Sequence, residues 1–254
     1  MSDRPLLEAQ ILLSHILQKD RTFLHAHGEM DLGEKEEEFF SLVARREAYE
    51  PIEYITKEVS FYGEIFLIEP GVLIPRPETE LLIDELVKEL KGDERICEIG
   101  TGSGIISIIL KKLMPNLKII ATDINPKAID LAKKNAARFN LQIDFRNVSM
   151  MDGVGDVDVI VSNPPYIAED YELEPNVALY EPKEALIGGK RGDEMLKELI
   201  DLFANSKATM LACEMGYDQK ESIKSYIGKY GLNVRFYKDY AGFDRGFIAK
   251  KDRK

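Results

Sequence analysis

Residues 157–166, VDVIVSNPPY, end in polar atoms that suit a planar NH2 group. Pro164 and Pro165 have no backbone N–H, and each holds the residue before it in extended geometry. The carbonyls of Asn163 and Pro164 therefore remain free acceptors, and the Asn163 side chain adds another. These acceptors can take both protons of an NH2 group while the Tyr166 ring packs on its face. The alternative is that NPPY only ends a strand, because Asn-Pro pairs are common turn signals.

A second candidate site is the glycine-rich segment EIGTGSG, residues 98–104. Its glycines permit a tight turn and the close approach of a ligand to the backbone. The spacing is GxGxG, and Ile105 stands where a dinucleotide fingerprint has its third glycine. At the end of the next strand-like run, Asp123 can accept hydrogen bonds from both hydroxyls of a ribose. The segment therefore predicts a nucleoside-bearing cofactor, although Asp123 could instead, or also, cap a helix that starts at Pro126.

Both sites need strands that end at one edge of a sheet. From residue 94 onwards, strand-like and helix-like runs alternate, which is typical of a doubly wound, mostly parallel α/β sheet. Only residues 238–245 join the last two strands, too few for a helical crossover, so we expect an antiparallel pair. We therefore predict a seven-stranded, Rossmann-like sheet with an antiparallel last strand. The predicted strands are Arg95–Ile99, Lys118–Asp123, Gln142–Asn147, Val157–Ser162, Ala208–Glu214, Asn233–Tyr237 and Gly246–Lys250.

The N-terminal part is expected to form a small helical domain followed by a hairpin linker. Residues 1–55 show helical spacing of apolar residues, with Asp3 as a cap of the first helix and Pro5 in its first turn. Residues 1–50 hold 6 Lys+Arg and 11 Asp+Glu, a net charge of −5. We expect this domain to recognise the substrate, and a mere packing role is the alternative. Residues 56–76 alternate like a β-hairpin, and residues 77–254 form the sheet domain.

A proline-rich segment, PGVLIPRPETE at residues 70–80, leads from the hairpin into the sheet domain. Its prolines make it rigid. The segment is either a plain linker or, through charged residues such as Arg76, part of the edge of an active site.

Charge and residue usage argue against several classes of protein. A net charge of −11 disfavours a nucleic-acid substrate, since phosphate binding needs a basic surface. His15, His25 and His27 all lie near the N-terminus, so the sheet domain has no histidine base unless the N-terminal domain folds over it. Cys97 and Cys213 lie in apolar runs, and no Cys/His cluster has metal-ligand spacing. With no signal-peptide pattern and no run of 18 apolar residues, we expect a cytoplasmic protein without metal or membrane span.

Taken together, EIGTGSG, Asp123 and NPPY resemble the class I S-adenosylmethionine-dependent methyltransferases of amino groups. Further motifs resemble the release factor glutamine methyltransferases, the PrmC or HemK family, over nearly the whole chain from about Arg45. The first 44 residues resemble that family only in helical character. The family-specific motifs are AYEPIEYI (48–55), PGVLIPRPETE (70–80), NPPYI (163–167), YEPKEAL (180–186) with Gly188-Gly189, and YAGFDR (240–245).

The resemblance implies methyl transfer from S-adenosylmethionine to the side-chain amide nitrogen of the glutamine in the Gly-Gly-Gln motif of peptide chain release factors. It implies catalytic roles for Asn163, Pro164 and Tyr166, and substrate contacts from these residues together with Pro165 and Arg76. Relatives often place an aromatic ring against the adenine after the third strand, where this chain has methionines. The expected cofactor-binding residues are Glu98, Gly100, Thr101, Gly102, Ser103, Gly104, Asp123, Ile124, Met150, Met151 and Asn163.

Two rival interpretations remain open at this point. An enzyme that methylates a nucleobase amino group of DNA or RNA would use the same NPPY chemistry, although the acidic charge counts against it. A cofactor-binding adaptor without catalysis would keep the glycine-rich turn but would have no need of Asn163 and Tyr166. We expect the release factor methyltransferase to be a monomer.

Overall fold

The computed structural model describes residues 4–252, which form ten α-helices and eleven β-strands. Asp3, the expected cap of the first helix, lies outside the described residues, whereas Pro5 opens that helix. The helices are α1 Pro5–Leu17, α2 Arg21–Ala26, α3 Lys35–Glu47, α4 Ile52–Thr56, α5 Thr79–Val87, α6 Ile105–Leu113, α7 Pro126–Arg138, α8 Pro175–Tyr180, α9 Glu194–Asn205 and α10 Lys220–Gly228. The strands are β1 Glu58–Phe61, β2 Glu64–Leu67, β3 Arg95–Ile99, β4 Lys118–Asp123, β5 Asp144–Asn147, β6 Val159–Ser162, β7 Ile167–Ala168, β8 Ile187–Gly189, β9 Met210–Glu214, β10 Asn233–Lys238 and β11 Asp244–Lys250.

One large sheet carries the candidate sites, with seven strands in the order β10-β11-β9-β6-β3-β4-β5. The strands from β9 to β5 run parallel, and β11 runs antiparallel to both of its neighbours. The predicted seven-stranded, doubly wound sheet with an antiparallel last strand is therefore confirmed. From β3 the chain continues to β4 on one side and returns to β6 on the other. The border between β3 and β6 is thus a topological switch point, where open α/β sheets bind ligands.

Helices bury both faces of this sheet. Every residue of β6 and β9 is buried, as expected for central strands of a parallel sheet. On one face, α5, α6 and α7 contribute apolar side chains such as Leu82 and Ile108. On the other face, α9 and α10 contribute side chains such as Leu199 and Ile223. The central strands are therefore held rigidly, and their carboxyl ends can keep polar groups in fixed positions.

The hairpin of β1 and β2 and the segment after it are tied to the sheet domain by buried polar side chains. Asn135 of α7 accepts from Leu67 N (2.7 Å) and donates to Leu67 O (3.0 Å) and Ser103 O (2.9 Å). One amide therefore joins the hairpin, α7 and the glycine-rich turn. The Tyr54 hydroxyl of α4 donates to Val72 O (2.7 Å), which fixes the helical part against the proline-rich segment.

Strand bounds differ from the sequence expectation by up to two residues, and the short elements α4, β7, β8 and α8 were not predicted. Val157 and Ala208 are buried but precede the hydrogen-bonded ladder, so apolar patterning alone overextends β6 and β9. The small sheet of β7 and β8, and α8, are too short for a periodic signal, and the sheet pairs strands that are distant in sequence. Within residues 4–252, no helix is long and apolar enough to cross a membrane.

Candidate active site

The carboxyl ends of β3, β4 and β6 border a cavity of about 450 Å³, a usual size for a small-molecule site. A neighbouring cavity of about 240 Å³ is lined by Tyr166 and shares Leu73, Arg76, Ala185 and the Asn163–Pro165 segment with the first. Gly104 and Met151 do not line either cavity. The predicted site residues that line the larger cavity are Arg76, Glu98, Gly100, Thr101, Gly102, Ser103, Asp123, Ile124, Met150, Asn163, Pro164 and Pro165.

The glycines of the turn between β3 and α6 divide into two kinds. Gly100 and Gly102 have φ of 72° and 57°, and a Cβ on either would meet nothing within 4 Å. Space is therefore open above their backbone, as a closely approaching ligand requires. Gly104 has φ of 84°, and its Cβ would lie 2.9 Å from the Ala132 Cβ. Gly104 thus allows α6 to pack against α7, and the structure gives it a packing role at a distance from the cavity.

Glu98, the last polar residue of β3, is buried and only partly satisfied by the protein. Its Oε2 accepts from Thr101 Oγ1 (2.8 Å), from Ser107 N (3.1 Å) and from Ser107 Oγ. Among the described residues, its Oε1 has no hydrogen-bond partner. Burial raises the pKa of Glu98 to about 7, against the opposing effect of the Ser107 and Thr101 hydrogen bonds. A buried acceptor without a partner is costly, so this oxygen is suited to a donor from a ligand.

Asp123 lies at the end of β4 and organises the turn around it. Its Oδ2 accepts from Gly102 N (2.9 Å) and its Oδ1 from Asn125 N (2.8 Å). Burial raises the pKa of Asp123, opposed by these backbone hydrogen bonds. The cap of α7 is Asn125, whose side chain accepts from Lys127 N (3.0 Å). The alternative in which Asp123 caps this helix is therefore wrong.

Asn163, which follows β6, is held by a chain of hydrogen bonds that the sequence did not reveal. Its Nδ2 donates to Thr79 Oγ1 (2.9 Å), and Thr79 Oγ1 donates to Glu214 Oε2 (2.7 Å). The Tyr166 hydroxyl donates to Glu214 Oε1 (3.0 Å). Within the described part of the chain, no group donates to Asn163 Oδ1 or to the carbonyl oxygens of Asn163 and Pro164. The predicted free acceptors therefore remain available beside the cavity.

Two residues of this network, Thr79 and Glu214, were not predicted as functional. Burial raises the pKa of Glu214 to about 7, opposed by its hydrogen bonds with Thr79 and Tyr166. Burial, the charge of Glu214 and the hydrogen bond to it also raise the pKa of Tyr166. A sequence signal for Glu214 existed, because a glutamate closes the apolar run MLACE just as Glu98 follows the apolar residues of RICEI.

Arg76 lies where the two cavities meet and is anchored by a buried carboxylate. Its Nη2 is 2.5 Å from Glu181 Oε1, and the Glu181 side chain is only 1% exposed. Glu181 Oε2 also accepts from Ile74 N (3.1 Å). The proline-rich segment is therefore more than a linker, because it forms one wall of the cavity and is bound to the YEPKEAL segment.

The two methionines after β5 both pack against the apolar core on the side of α9 and α10, but only Met150 also lines a cavity. Met150 lines the larger cavity, has φ of 48°, and accepts at its carbonyl oxygen from Thr122 Oγ1 (2.7 Å). Met151 packs with the apolar core on the side of α9 and α10 and lies outside both linings. Of the predicted pair, Met150 is thus the one placed to contact a ligand. No group of three or more His, Cys, Asp or Glu residues within 4–252 is arranged to hold a metal ion.

Known families match two parts of the chain. The family model described as "PrmC N-terminal domain" matches residues 1–56, and the one described as "Methyltransferase small domain" matches residues 76–180. The first match extends the likeness to the first 44 residues, beyond the helical character that the sequence motifs gave. Two solved structures share the fold. A methyltransferase from Pyrococcus furiosus has a TM-score of 0.58 at 24% identity, covering 74% of this chain and 89% of that one. The E. cuniculi Mtq2–Trm112 complex, responsible for methylation of the eRF1 translation termination factor, has a TM-score of 0.54 at 19% identity, covering 71% and 99%.

Similarity to individual relatives runs along almost the entire chain. A release factor glutamine methyltransferase of Clostridium botulinum is 37% identical, covering 96% of this chain and 92% of the relative. The protein of the same name from Aquifex aeolicus is 34% identical, covering 96% and 90%. With this identity over nearly full length, and with the methyltransferase sheet and the cavity at its carboxyl edge in place, the chain belongs to the release factor glutamine methyltransferase family.

Proposed function

We propose that this methyltransferase transfers a methyl group from S-adenosylmethionine to the side-chain amide nitrogen of the glutamine in the Gly-Gly-Gln motif of peptide chain release factors. The observation that carries the proposal is the set of free acceptors after β6. The Asn163 side-chain NH2 donates a hydrogen bond to Thr79. Its Oδ1 and the backbone carbonyls of Asn163 and Pro164 keep free lone pairs beside the cavity. A primary amide has two N–H donors to satisfy such acceptors.

The residues of the larger cavity fit S-adenosylmethionine. Open space above Gly100 and Gly102 suits an extended ligand that lies against the turn. The unpartnered Oε1 of Glu98 suits the ammonium donor of the methionine part, and the Asp123 carboxylate suits the ribose hydroxyls. Ile124 and Met150 offer apolar contact for the adenine. When bound, this cofactor supplies an activated sulfonium methyl group. The expectation that no metal takes part stays a prediction.

The acceptor residues address the main difficulty of the reaction, which is the weak nucleophilicity of an amide nitrogen. Its lone pair is delocalised into the carbonyl group. Acceptors at Asn163 and Pro164 orient the NH2 group and favour the pyramidal geometry that frees the lone pair. Holding the reacting groups in line can supply up to ~7–11 kcal/mol.

Proton removal requires no strong base in this site. The nitrogen becomes strongly acidic as its new bond to carbon forms, so water or the Asn163 carbonyl can accept the departing proton. Neither cavity is lined by a histidine, which agrees with this route. Tyr166 and Pro165 would flank the glutamine side chain, and Arg76 would contact the segment that carries it. Release factors act in the cytoplasm, where we expect this chain as a monomer.

The decisive experiment is to incubate the protein with labelled S-adenosylmethionine and a purified release factor, and to map the modified residue by mass spectrometry. We expect a single methyl group on the glutamine of Gly-Gly-Gln. A release factor with alanine in place of that glutamine serves as the matched control and should stay unlabelled. Label that appears only on added DNA or RNA would overturn the proposal in favour of a nucleobase substrate. An absence of label on every substrate would leave only the adaptor interpretation.

We further propose that the helical N-terminal domain recognises the release factor. Its α3 exposes Glu36, Glu37 and Glu38, and the bulky Phe40 on the same helix is 58% exposed. Replacing the three glutamates by lysine should raise KM for the release factor by about three- to tenfold, since charges at the rim of an interface mainly affect encounter. The turnover number and the cofactor Kd should not change. Glu221→Lys on α10 is the matched control, and an equal KM for the triple variant and wild type would refute the role.

A further inference from the structure

Glu214 is a buried carboxylate of β9 with both oxygens engaged inside the protein. Oε2 accepts from Thr79 Oγ1 (2.7 Å), and Oε1 accepts from the Tyr166 hydroxyl (3.0 Å). The side chain lines neither cavity. Its two partners nevertheless lie next to or within the NPPY segment. Thr79 accepts a hydrogen bond from Asn163, and Tyr166 is the last residue of NPPY. The carboxylate therefore acts on the site only through other residues.

The hydrogen bonds that link Asn163, Thr79 and Glu214 can run in only one direction when Glu214 is ionised. An ionised carboxylate can only accept, so the single hydroxyl proton of Thr79 must point to Glu214. With that proton used, Thr79 Oγ1 can only accept from Asn163. The NH2 end of the Asn163 amide must then face Thr79, at 2.9 Å, and the Oδ1 end must face away from it.

The direction matters because the two ends of an amide are nearly equal in size. Packing alone would hold Asn163 equally well with its NH2 group turned toward the substrate. That arrangement would set a donor against the NH2 group to be methylated and would remove one of its acceptors. Resting on the proposed function, we infer that Glu214 is a positioning residue. Through Thr79, it makes Asn163 present its side-chain oxygen to the substrate nitrogen that receives the methyl group.

Protonation of Glu214 would reverse these hydrogen bonds. A protonated Oε2 could donate to Thr79, which frees the Thr79 proton to bind Asn163 Oδ1 and allows the amide to reverse. Burial raises the pKa of Glu214 to about 7, so this exchange falls in an accessible range of pH. The other titratable or charged groups that face Glu214 are Tyr166, Arg245, Glu78 and Tyr237.

The first test compares Thr79→Val with Thr79→Ser. Valine keeps the shape but removes the hydroxyl, whereas serine keeps the hydroxyl and loses only a methyl group. We expect Thr79→Val to lower kcat for the release factor by about tenfold or more, with the cofactor Kd unchanged within about twofold. Thr79→Ser should retain most of the turnover. Equal turnover of wild type and Thr79→Val would overturn the inference while leaving the proposed function intact.

A double-mutant cycle separates positioning from a general structural role. If Thr79 acts only by orienting Asn163, Thr79→Val should cause no further loss of kcat in the Asn163→Ala background. An independent structural role would instead give additive losses, and additivity would overturn the inference. If wild type itself methylates no release factor, the proposed function fails first, so the two failures are distinguishable.

The pH profile of Glu214→Gln provides a measurement that does not depend on Thr79. With saturating cofactor, which removes the contribution of Glu98 to cofactor binding, wild-type kcat should decrease as the pH falls below about 7. Glutamine cannot gain a proton in this range, so the variant should have lower kcat but a flat profile. An acid-side decrease in Glu214→Gln equal to that of wild type would overturn the assignment.

Discussion

Two buried glutamates stand on the two strands that flank β6, and their difference separates the two halves of the site. Glu98 of β3 pairs in register with Val161, and Cys213 beside Glu214 of β9 pairs with Ser162. Both side chains are buried, and burial raises the pKa of each to about 7. In the described structure, however, Glu98 keeps one oxygen without a partner, whereas Glu214 uses both of its oxygens.

This difference indicates distinct functions for similar carboxylates. The half around Glu98 is incomplete by itself, with an unpartnered acceptor and open space above the glycine backbone, so binding a ligand completes it. The half around Glu214 is satisfied internally and fixes the geometry of Asn163 and Tyr166 before any substrate arrives. We call the half around Glu98 the cofactor half and the half around Glu214, with Asn163 and Tyr166, the acceptor half. Changes in the cofactor half are expected to alter the affinity for the cofactor, and changes in the acceptor half are expected to alter turnover.

The largest effect is expected for Asn163→Ala in the acceptor half. The change removes an acceptor for the substrate NH2 group and should lower kcat by ~100-fold or more, the scale for loss of a transition-state hydrogen-bond partner. The cofactor Kd should change little, because the glycine-rich turn and Asp123 remain. Steady-state kinetics and calorimetry on the same preparation measure both quantities.

Asn163→Asp is the companion variant for this prediction. It keeps an acceptor but adds a charge and loses the NH2 group that binds Thr79, so its loss of turnover should be smaller than that of Asn163→Ala. If Asn163→Ala methylates at the wild-type rate, the NPPY segment has no catalytic role. The expectation that changes near Glu214 alter turnover would then be wrong.

The next largest effect is expected for Asp123→Ala in the cofactor half. Loss of hydrogen bonds to a charged group should weaken S-adenosylmethionine binding by about 1.5–3 kcal/mol, or roughly 10- to 150-fold in Kd. At saturating cofactor, kcat should stay close to wild type. Asp130→Ala, on the exposed side of α7, is the matched control. An unchanged Kd in Asp123→Ala would exclude this carboxylate from the ribose role.

Stability should depend on pH through both glutamates, because the folded state binds their protons more tightly than the unfolded state does. Each has a pKa of about 7 when folded against 4.5 in the unfolded chain. Their contribution to the free energy of unfolding is therefore full below about pH 4.5 and is lost as the pH rises through about 7. Above that range, each ionised and buried carboxylate destabilises the fold.

Glutamine variants test this sign. Glu214→Gln and Glu98→Gln should each remove part of the decrease, a difference on the order of 2 kcal/mol between pH 5 and pH 8. Denaturant unfolding at the two pH values measures it. If the free energy of unfolding of a variant falls with pH in parallel with that of wild type, the pKa of the replaced glutamate is not raised by folding. Saturating cofactor should shrink the effect for Glu98 alone, because only that carboxylate has a free oxygen for the ligand.

Much of this site could be predicted from sequence because its signals are local. The glycine-rich turn, Asp123 and NPPY each combine residue types and spacing within a few positions, next to strands that apolar runs reveal. β3 and β4 match the predicted bounds, since their apolar runs and their hydrogen-bonded ladders coincide. The seven-stranded order then places these separate signals at one edge without further information.

What could not be predicted depends on contacts between distant residues. The bond between Thr79 and Glu214 joins residues 135 positions apart, and that between Asn163 and Thr79 joins residues 84 apart. Gly104 has the same residue type and spacing as the ligand-facing glycines. Only its distance to Ala132 distinguishes its packing role. Neither fact has a signature in a short stretch of sequence.

The smallest expected effect is on the cofactor Kd, and it comes from comparing alanine variants of the two methionines after β5. Both side chains are half-buried against the apolar core on the side of α9 and α10, but only Met150 also lines the cavity. Met150→Ala should therefore weaken S-adenosylmethionine binding by about 1 kcal/mol, or roughly fivefold, through lost apolar contact. Alanine and methionine bear the same strain at the φ of 48°, so this backbone conformation does not bias the comparison. Met151→Ala should leave the Kd unchanged but lower the free energy of unfolding, since it opens a gap in the core. Calorimetry and denaturant unfolding on both variants give the two quantities. The reverse pattern, with Kd altered only in Met151→Ala, would move the adenine contact to the other methionine.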